Sequence, residues 1–260
     1  MKRASLINRL WRWLATGIFF VFFGIGGLVL SIIWFTLLRL FIKDPQKLNL
    51  MTLNSIKKSF QLLLNSLRLA GVMNYRIVGA DLFKQDKGCL IVANHPSLLD
   101  YVLLASCMPR CDCIVKQALL RNPFVSGVIK SAGYLINSGS EDLLNACKER
   151  LQAGGTILIF PEGTRTIPGE APVLQRGAAN IALRAGCEIR IVSISCEPPM
   201  LTKRGRWYNV PPVKPQFVIT VKSKVIPQDF IQARDASLAL AARRLTQHLR
   251  SELVLKNNEK

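Results

Sequence analysis

Two histidines occur in the chain, at positions 95 and 248. His95 lies in Asn94-His95-Pro96-Ser97-Leu98-Leu99-Asp100, directly after the apolar run Cys89–Ala93. Five steps along a helix rotate about 140° beyond a full turn, so His95 and Asp100 cannot share a face of one regular helix. They meet if His95 closes a strand loop and Asp100 lies in the first turn of the next helix. Pro96 favours that break by restricting His95 to extended geometry. The carboxylate then holds one imidazole nitrogen and leaves the other as a general base. His248 sits among arginines beside the apolar stripe Leu238, Leu245 and Leu249, and reads as a surface residue. Ser97 reads as a helix N-cap, and no Gly-x-Ser-x-Gly elbow is present to make a hydrolase nucleophile.

The second constellation is Phe160-Pro161-Glu162-Gly163-Thr164-Arg165, which follows the apolar run Thr156–Phe160. It therefore stands at the C-terminal end of an expected strand, the edge where open α/β sheets bind ligands. His95 follows its own strand, so the two segments open onto one crevice. Gly163 permits close backbone approach, and Arg165 offers a planar fork for phosphate or carboxylate. Glu162 either orients that arginine or accepts a hydrogen bond from a hydroxyl substrate. A plain β-turn carrying a surface salt bridge is the competing reading of the hexapeptide.

In this order, Asn94–Asp100 and then Phe160–Arg165 closely resemble the motifs of the glycerolipid acyltransferases, the 1-acylglycerol-3-phosphate acyltransferases and their lysophospholipid relatives. The resemblance covers roughly residues 75–225 and implies transfer of a fatty acyl group from a thioester to a hydroxyl. His95 matches the family's general base and Asp100 its orienting carboxylate. Glu162, Gly163, Thr164 and Arg165 match the acceptor-binding motif. Lys116, at the end of the run Cys111–Lys116, resembles the family's basic residue ahead of the next helix, though a solvated strand-end lysine reads equally well. No cofactor or metal is implied, because the donor, an acyl carrier protein or coenzyme A thioester, is a substrate that is already activated. Two departures stand out. The family's Ile-Asp-Arg strand end is Leu135-Ile136-Asn137-Ser138 here, and its Val-Pro-Val strand is Ile191-Val192-Ser193-Ile194-Ser195. The missing arginine at Ser138 leaves open an acceptor that is not a glycerophosphate.

The elements that must position these residues alternate. Expected strands are Tyr75–Val78, Cys89–Ala93, Cys111–Lys116, Tyr134–Ile136, Thr156–Phe160, Ile189–Cys196 and Phe217–Val225. Helical spacing covers Leu98–Met108, Pro123–Ser131, Glu141–Ala153, Arg176–Ala185 and Ser237–Leu255. The pattern predicts an α/β domain, a largely parallel sheet flanked by helices, over residues 51–260. Residues 1–50 form a basic segment and helical membrane anchor. Trp13–Leu38 contains no charge over 26 residues, enough to span a bilayer core. Gly24, Gly26 and Gly27 could break it into a re-entrant hairpin, and basic residues flank both ends, so span and hairpin both stand. Residues 51–70 repeat apolar side chains at helical spacing, either as a core helix or as an interfacial one continuing the anchor.

Composition narrows the class. Of 260 residues, 50% are hydrophobic and 20% charged, which excludes a disordered chain. The 35 Lys and Arg against 16 Asp and Glu leave a net charge of +19, a surface that favours polyanions. Seven cysteines without a CxxC pair argue against a zinc ribbon and a disulfide framework, so a reduced, cytosol-facing domain is expected. Lys203, Arg204, Arg206, Lys214, Lys222 and Lys224 gather around Trp207 and Tyr208 in and beyond the Pro-rich connection Pro198–Pro215. Such a cluster suits membrane lipids or an acidic acyl carrier protein, and no nucleic-acid recognition module is present to make it a nucleic-acid surface. The expected location is the cell inner membrane, with the catalytic domain facing the cytoplasm. A non-catalytic lipid-binding protein is the alternative, and the intact His95 and Asp100 weigh against it.

Overall fold

The structure is a computed structural model that describes residues 5–137, 141–233 and 237–254. A helix begins at Leu6, where the Ser5 hydroxyl accepts the Asn8 amide. It runs as α1 (Leu6–Val29), passes through one π-helical turn (Leu30–Trp34) and continues as α2 (Phe35–Phe41). The stretch is 36 residues, about 54 Å at 1.5 Å per residue, and is long and apolar enough to cross a membrane. Of the two arrangements left open for Gly24, Gly26 and Gly27, the helix break does not form. Those glycines lie inside regular helix, where Gly24 and Gly27 face Phe124 of another helix. After a short turn Asp44 caps α3 (Pro45–Leu69), accepting the Gln46 and Lys47 amides, and Pro45 takes the first helical position. The inward stripe Leu53, Ile56, Leu64 and Leu67 of α3 is buried, so this helix packs on the core, while Leu50, Leu62 and Leu69 stay exposed.

Among the described residues seven strands follow: β1 (Asn74–Val78), β2 (Leu90–Ala93), β3 (Asp112–Lys116), β4 (Leu135–Asn137), β5 (Ile157–Ile159), β6 (Ile189–Glu197) and β7 (Gln216–Val225). They form one sheet in the order β1-β7-β6-β2-β5-β3-β4, antiparallel only between β6 and β7. Helices α4 (Asp100–Cys107), α5 (Pro123–Ala132), α6 (Glu141–Gln152), α7 (Gly177–Ala185) and α8 (Leu238–Leu253) cover it. Strand alternation sorts the core. Ile91 and Ala93 of β2 meet α3 and α4, while Leu90 and Val92 point to the opposite face against α6, α7 and α8. Being buried on both faces, β2 reads as an unbroken apolar run. Antiparallel neighbours can be joined by a two-residue hairpin, yet β6 and β7 are joined by residues 198–215, which lie over the sheet edge and against α1.

Candidate active site

Strands β2 and β5 are neighbours and parallel, with Val92 opposite Ile159, so the segments that leave their C-terminal ends emerge side by side. Backbone bonds tie them together. The Thr166 amide donates to the His95 carbonyl at 2.7 Å, and the His95 amide donates to Glu162 Oε1 at 2.9 Å. The two segments expected from sequence to lie together therefore leave adjacent strands. Asn94, the last residue before His95, is buried and pairs both ways with the Ile194 backbone on β6, at 2.8 and 2.7 Å. This fixes where the turn leaves the sheet.

His95 Nδ1 lies 2.9 Å from Asp100 Oδ2. Asp100 is the first residue of α4, completely buried, and its Oδ2 also accepts the Ser97 amide at 2.7 Å. Oδ1 is buried and has no partner among the described residues. Burial pushes the Asp100 carboxyl up to about 6, with the hydrogen bonds and charge of His95 pulling it back. The imidazole stacks on Phe160, ring centroids 4.2 Å apart, and keeps part of its surface open to solvent. With Nδ1 donating to the carboxylate, Nε2 is the nitrogen left to take a proton. Ser97 differs from the expected N-cap. Leu99 occupies that position, and the Ser97 hydroxyl accepts the Leu99 amide at 3.3 Å, bracing the turn one step earlier.

The second segment divides its work differently from the sequence reading. Glu162 is buried and does not pair with Arg165. Its carboxylate accepts the His95 amide and the Thr166 hydroxyl, the latter at 2.9 and 2.7 Å. Arg165 instead donates through Nη1 to the carbonyls of Leu201 and Thr202, at 2.7 and 2.9 Å. Among the described residues, its Nε and Nη2 carry no protein hydrogen bond. Gly163 adopts a φ of +65° in the turn closed by its amide on the Phe160 carbonyl, and is exposed. Thr164 is half-buried beside it. Lys116 is exposed at the C-terminal end of β3, opposite Asn137, at the same sheet edge but two strands from His95. Ser138 lies outside the described residues.

Three residues escaped the sequence reading: Asn94, Thr166 and the carbonyl of Leu201. Asn94 had a signal, a polar residue ending an apolar strand, where burial demands a partner. Thr166 and Leu201 had none, because the partners of their backbone atoms, His95 for the one and Leu98 and Arg165 for the other, are distant in sequence. The seven cysteines are free. Burial pushes the Cys196 thiol, at the end of β6, up to about 12, so it is no nucleophile beside the site. His248 is half-buried against Phe230, ring centroids 5.2 Å apart, rather than fully solvated.

Comparison with known proteins meets this geometry. Residues 74–197, from β1 to the end of β6, match the family described as Acyltransferase. The chain is similar to a 1-acyl-sn-glycerol-3-phosphate acyltransferase of Helicobacter pylori, 33% identical over 132 residues, covering 48% of this chain and 53% of that protein. A protein of the same name from Borreliella burgdorferi is 30% identical over 137 residues, covering 50% and 54%. The chain thus spans about half the length of these curated relatives. Among solved structures, the 1-acyl-sn-glycerophosphate acyltransferase PlsC of Thermotoga maritima superposes with a TM-score of 0.70 at 21% identity, covering 96% of this chain and 99% of that one. Residues 74–197 thus resemble an acyltransferase-family domain in sequence, and the chain shares the fold of a glycerolipid acyltransferase.

Proposed function

We propose that the protein is a membrane-bound O-acyltransferase that moves a fatty acyl group from an acyl thioester to a hydroxyl of a lysophospholipid-type acceptor, 1-acylglycerol-3-phosphate foremost. The observation that carries the reading is the His95–Asp100 pair, 2.9 Å apart, at the strand edge shared with Glu162–Arg165. The acceptor hydroxyl gives its proton to His95 Nε2 as its oxygen attacks the thioester carbonyl. Collapse of the tetrahedral intermediate breaks the C–S bond, and the imidazolium returns the proton to the departing thiolate. Ionised Asp100 stabilises that imidazolium and holds the tautomer. A thioester is already activated, so no covalent enzyme intermediate is needed. Arg165, through Nε and Nη2, grips an acceptor phosphate, with Lys116 farther along the same edge. The donor is carried by acyl carrier protein or coenzyme A. The apolar helix Leu6–Phe41 holds the protein to the cell inner membrane, with the catalytic domain on the cytoplasmic side.

The direct test is turnover. Detergent-solubilised protein is given a labelled acyl thioester and a panel of lysolipids, and acylated product is counted. His95→Ala should lower the rate by about 10²- to 10⁴-fold, the usual range for a positioned acid–base group. A folded His95→Ala protein that turns over normally would sink the mechanism.

A further inference from the structure

Arg12 is completely buried, although most side chains of α1 are exposed. Its Nε donates to Asn8 Oδ1 at 3.0 Å, and its Nη2 donates to the carbonyls of Pro211 and Pro212 at 2.9 and 3.2 Å. Nη1 is buried with no partner, and among the described residues no carboxylate forms an ion pair with this guanidinium. Removing a guanidinium from water against neutral acceptors alone is expensive. A leucine would dock the helix at lower cost, and an ionisable residue that turns inward from a membrane helix marks a functional position. The same stretch of α1 grips the loop a second time. Trp13 stacks on Trp207 with centroids 6.2 Å apart, and Phe20 meets that indole edge-on at 6.1 Å. Gly17 makes room for it, since a Cβ there would stand 3.2 Å from the indole.

The other end of this loop reaches the candidate site. Leu201 has a φ of +53°, rare for a residue with a side chain and sustained only where the surroundings fix it. Its carbonyl accepts two donors, the Leu98 amide at 3.1 Å and Arg165 Nη1 at 2.7 Å. Leu98 belongs to the His95–Asp100 turn, so one carbonyl joins both candidate motifs. Between the ends, the Thr202 hydroxyl accepts the Gly205 amide, and the Asn209 and Val210 amides close turns onto Arg206 and Tyr208. The loop is therefore folded along its length.

We propose that Arg12 is a positioning residue for acyl transfer: it fixes the 201–212 segment against the anchor helix and, through the Leu201 carbonyl, sets the spacing between the His95–Asp100 turn and Arg165. The proposal rests on the acyltransferase reading of the site. The test uses full-length protein in detergent micelles with palmitoyl-coenzyme A and 1-acylglycerol-3-phosphate. Arg12→Met should lower kcat by about 10- to 100-fold, the penalty for a small misplacement of reacting groups, with little change in the donor KM. Arg12→Lys should recover part of that loss, because one ammonium still reaches a proline carbonyl. Lys203, Arg204 and Arg206 are exposed, so trypsin reads the loop without any turnover. Arg12→Met should speed cutting there by about 10-fold or more, and Trp207→Ala should move both readouts the same way. In a double-mutant cycle, Arg12→Met with Arg165→Lys should cost less than the product of the single losses, since both act on one segment. Wild-type kcat and wild-type trypsin resistance in Arg12→Met would overturn the proposal, as would single losses that multiply in the double variant. Should Arg12→Met fail to fold, Arg12→Lys and Trp207→Ala decide by the same measurements. A wild-type protein that transfers no acyl group from either a coenzyme A or an acyl carrier protein thioester to any of a panel of lysolipids overturns the reaction assigned to the site. An active wild type with an indifferent Arg12 overturns only the positioning role.

Discussion

Burial raises the Asp100 carboxyl to about 6, and this sets the fold against the chemistry. A carboxyl raised on folding contributes stability that is fully present below its unfolded value, about 3.9, and is lost as pH rises through about 6. Above pH 6 the buried charge, with Oδ1 unpartnered, is a burden on the fold. In the proposed mechanism that same charge stabilises the His95 imidazolium. Acyl transfer should therefore fall as pH drops through about 6, visible as an acid limb in kcat/KM. Asp100→Asn should lower kcat/KM by about 10²- to 10⁴-fold and leave Tm at pH 8 equal or higher. A variant with that activity loss and a collapsed Tm would show a purely structural Asp100. Arg165 makes a second case. Arg165→Lys keeps one donor for the Leu201 and Thr202 carbonyls but loses the free edge of the fork. Losing a bond to a charged phosphate costs about 1.5–3 kcal/mol, so the acceptor KM should rise about 10- to 150-fold with the donor KM unchanged. Equal shifts in both would assign Arg165 to the loop alone. The types and places of these residues were legible in the sequence. Apart from the His95–Asp100 pair their partners were not, because Asn94 bonds to the β6 backbone, Arg165 to the carbonyls of residues 201 and 202, and Glu162 to the His95 amide, all distant in sequence.

At the scale of elements, all seven expected strands and the five expected helices of the α/β domain form within a few residues of the boundaries read from periodicity. That success has a cause: a doubly covered sheet writes apolar runs and helical stripes into sequence directly. The glycines of α1 carried no such message. A glycine inside an apolar run signals either a break or a close approach, and only the facing element decides. Here the facing element is α5. A Cβ on Gly27 would stand 2.3 Å from the Phe124 carbonyl oxygen, and one on Gly127 would stand 2.5 Å from the Ser31 Cβ. On Gly26 it would meet nothing within 4 Å. Gly27→Ala should therefore destabilise by about 1–3 kcal/mol or more, as overpacking against backbone does. Gly26→Ala should be neutral or gain up to about 1 kcal/mol from helix propensity. Thermal unfolding of the two variants in one detergent checks this, and equal Tm values would mean that α1 and α5 are not in contact.

At the scale of the whole molecule, the helix Leu6–Phe41, long and apolar enough to cross a membrane, is also a packing partner. Its outward residues Leu6, Ile7, Leu10, Val21 and Phe22 are exposed, as suits contact with lipid. Its inward residues belong to the cores of the α/β domain. Ala15 joins the cluster of Leu64 and Leu67, while Phe35 and Leu38 pack with Leu53, Ile56, Ile129 and Tyr134. The chain's +19 charge adds attraction to anionic headgroups, an attraction that salt screens. Deleting residues 1–41 separates these contributions. Full-length protein should stay on anionic vesicles through a wash in about 1 M salt, where the Debye length is about 3 Å. The deleted protein should bind at low salt through its basic surface and wash off at high salt. It should also be less stable, because burying two large apolar side chains is worth about 3–6 kcal/mol. In a domain of this size that corresponds to a Tm lower by roughly 10 °C or more. A deleted protein released by salt yet as heat-stable as the full chain would make the helix an anchor and nothing else. One that stays bound in high salt would move the membrane attachment to the exposed face of α3, where Leu50, Leu62 and Leu69 stand in solvent.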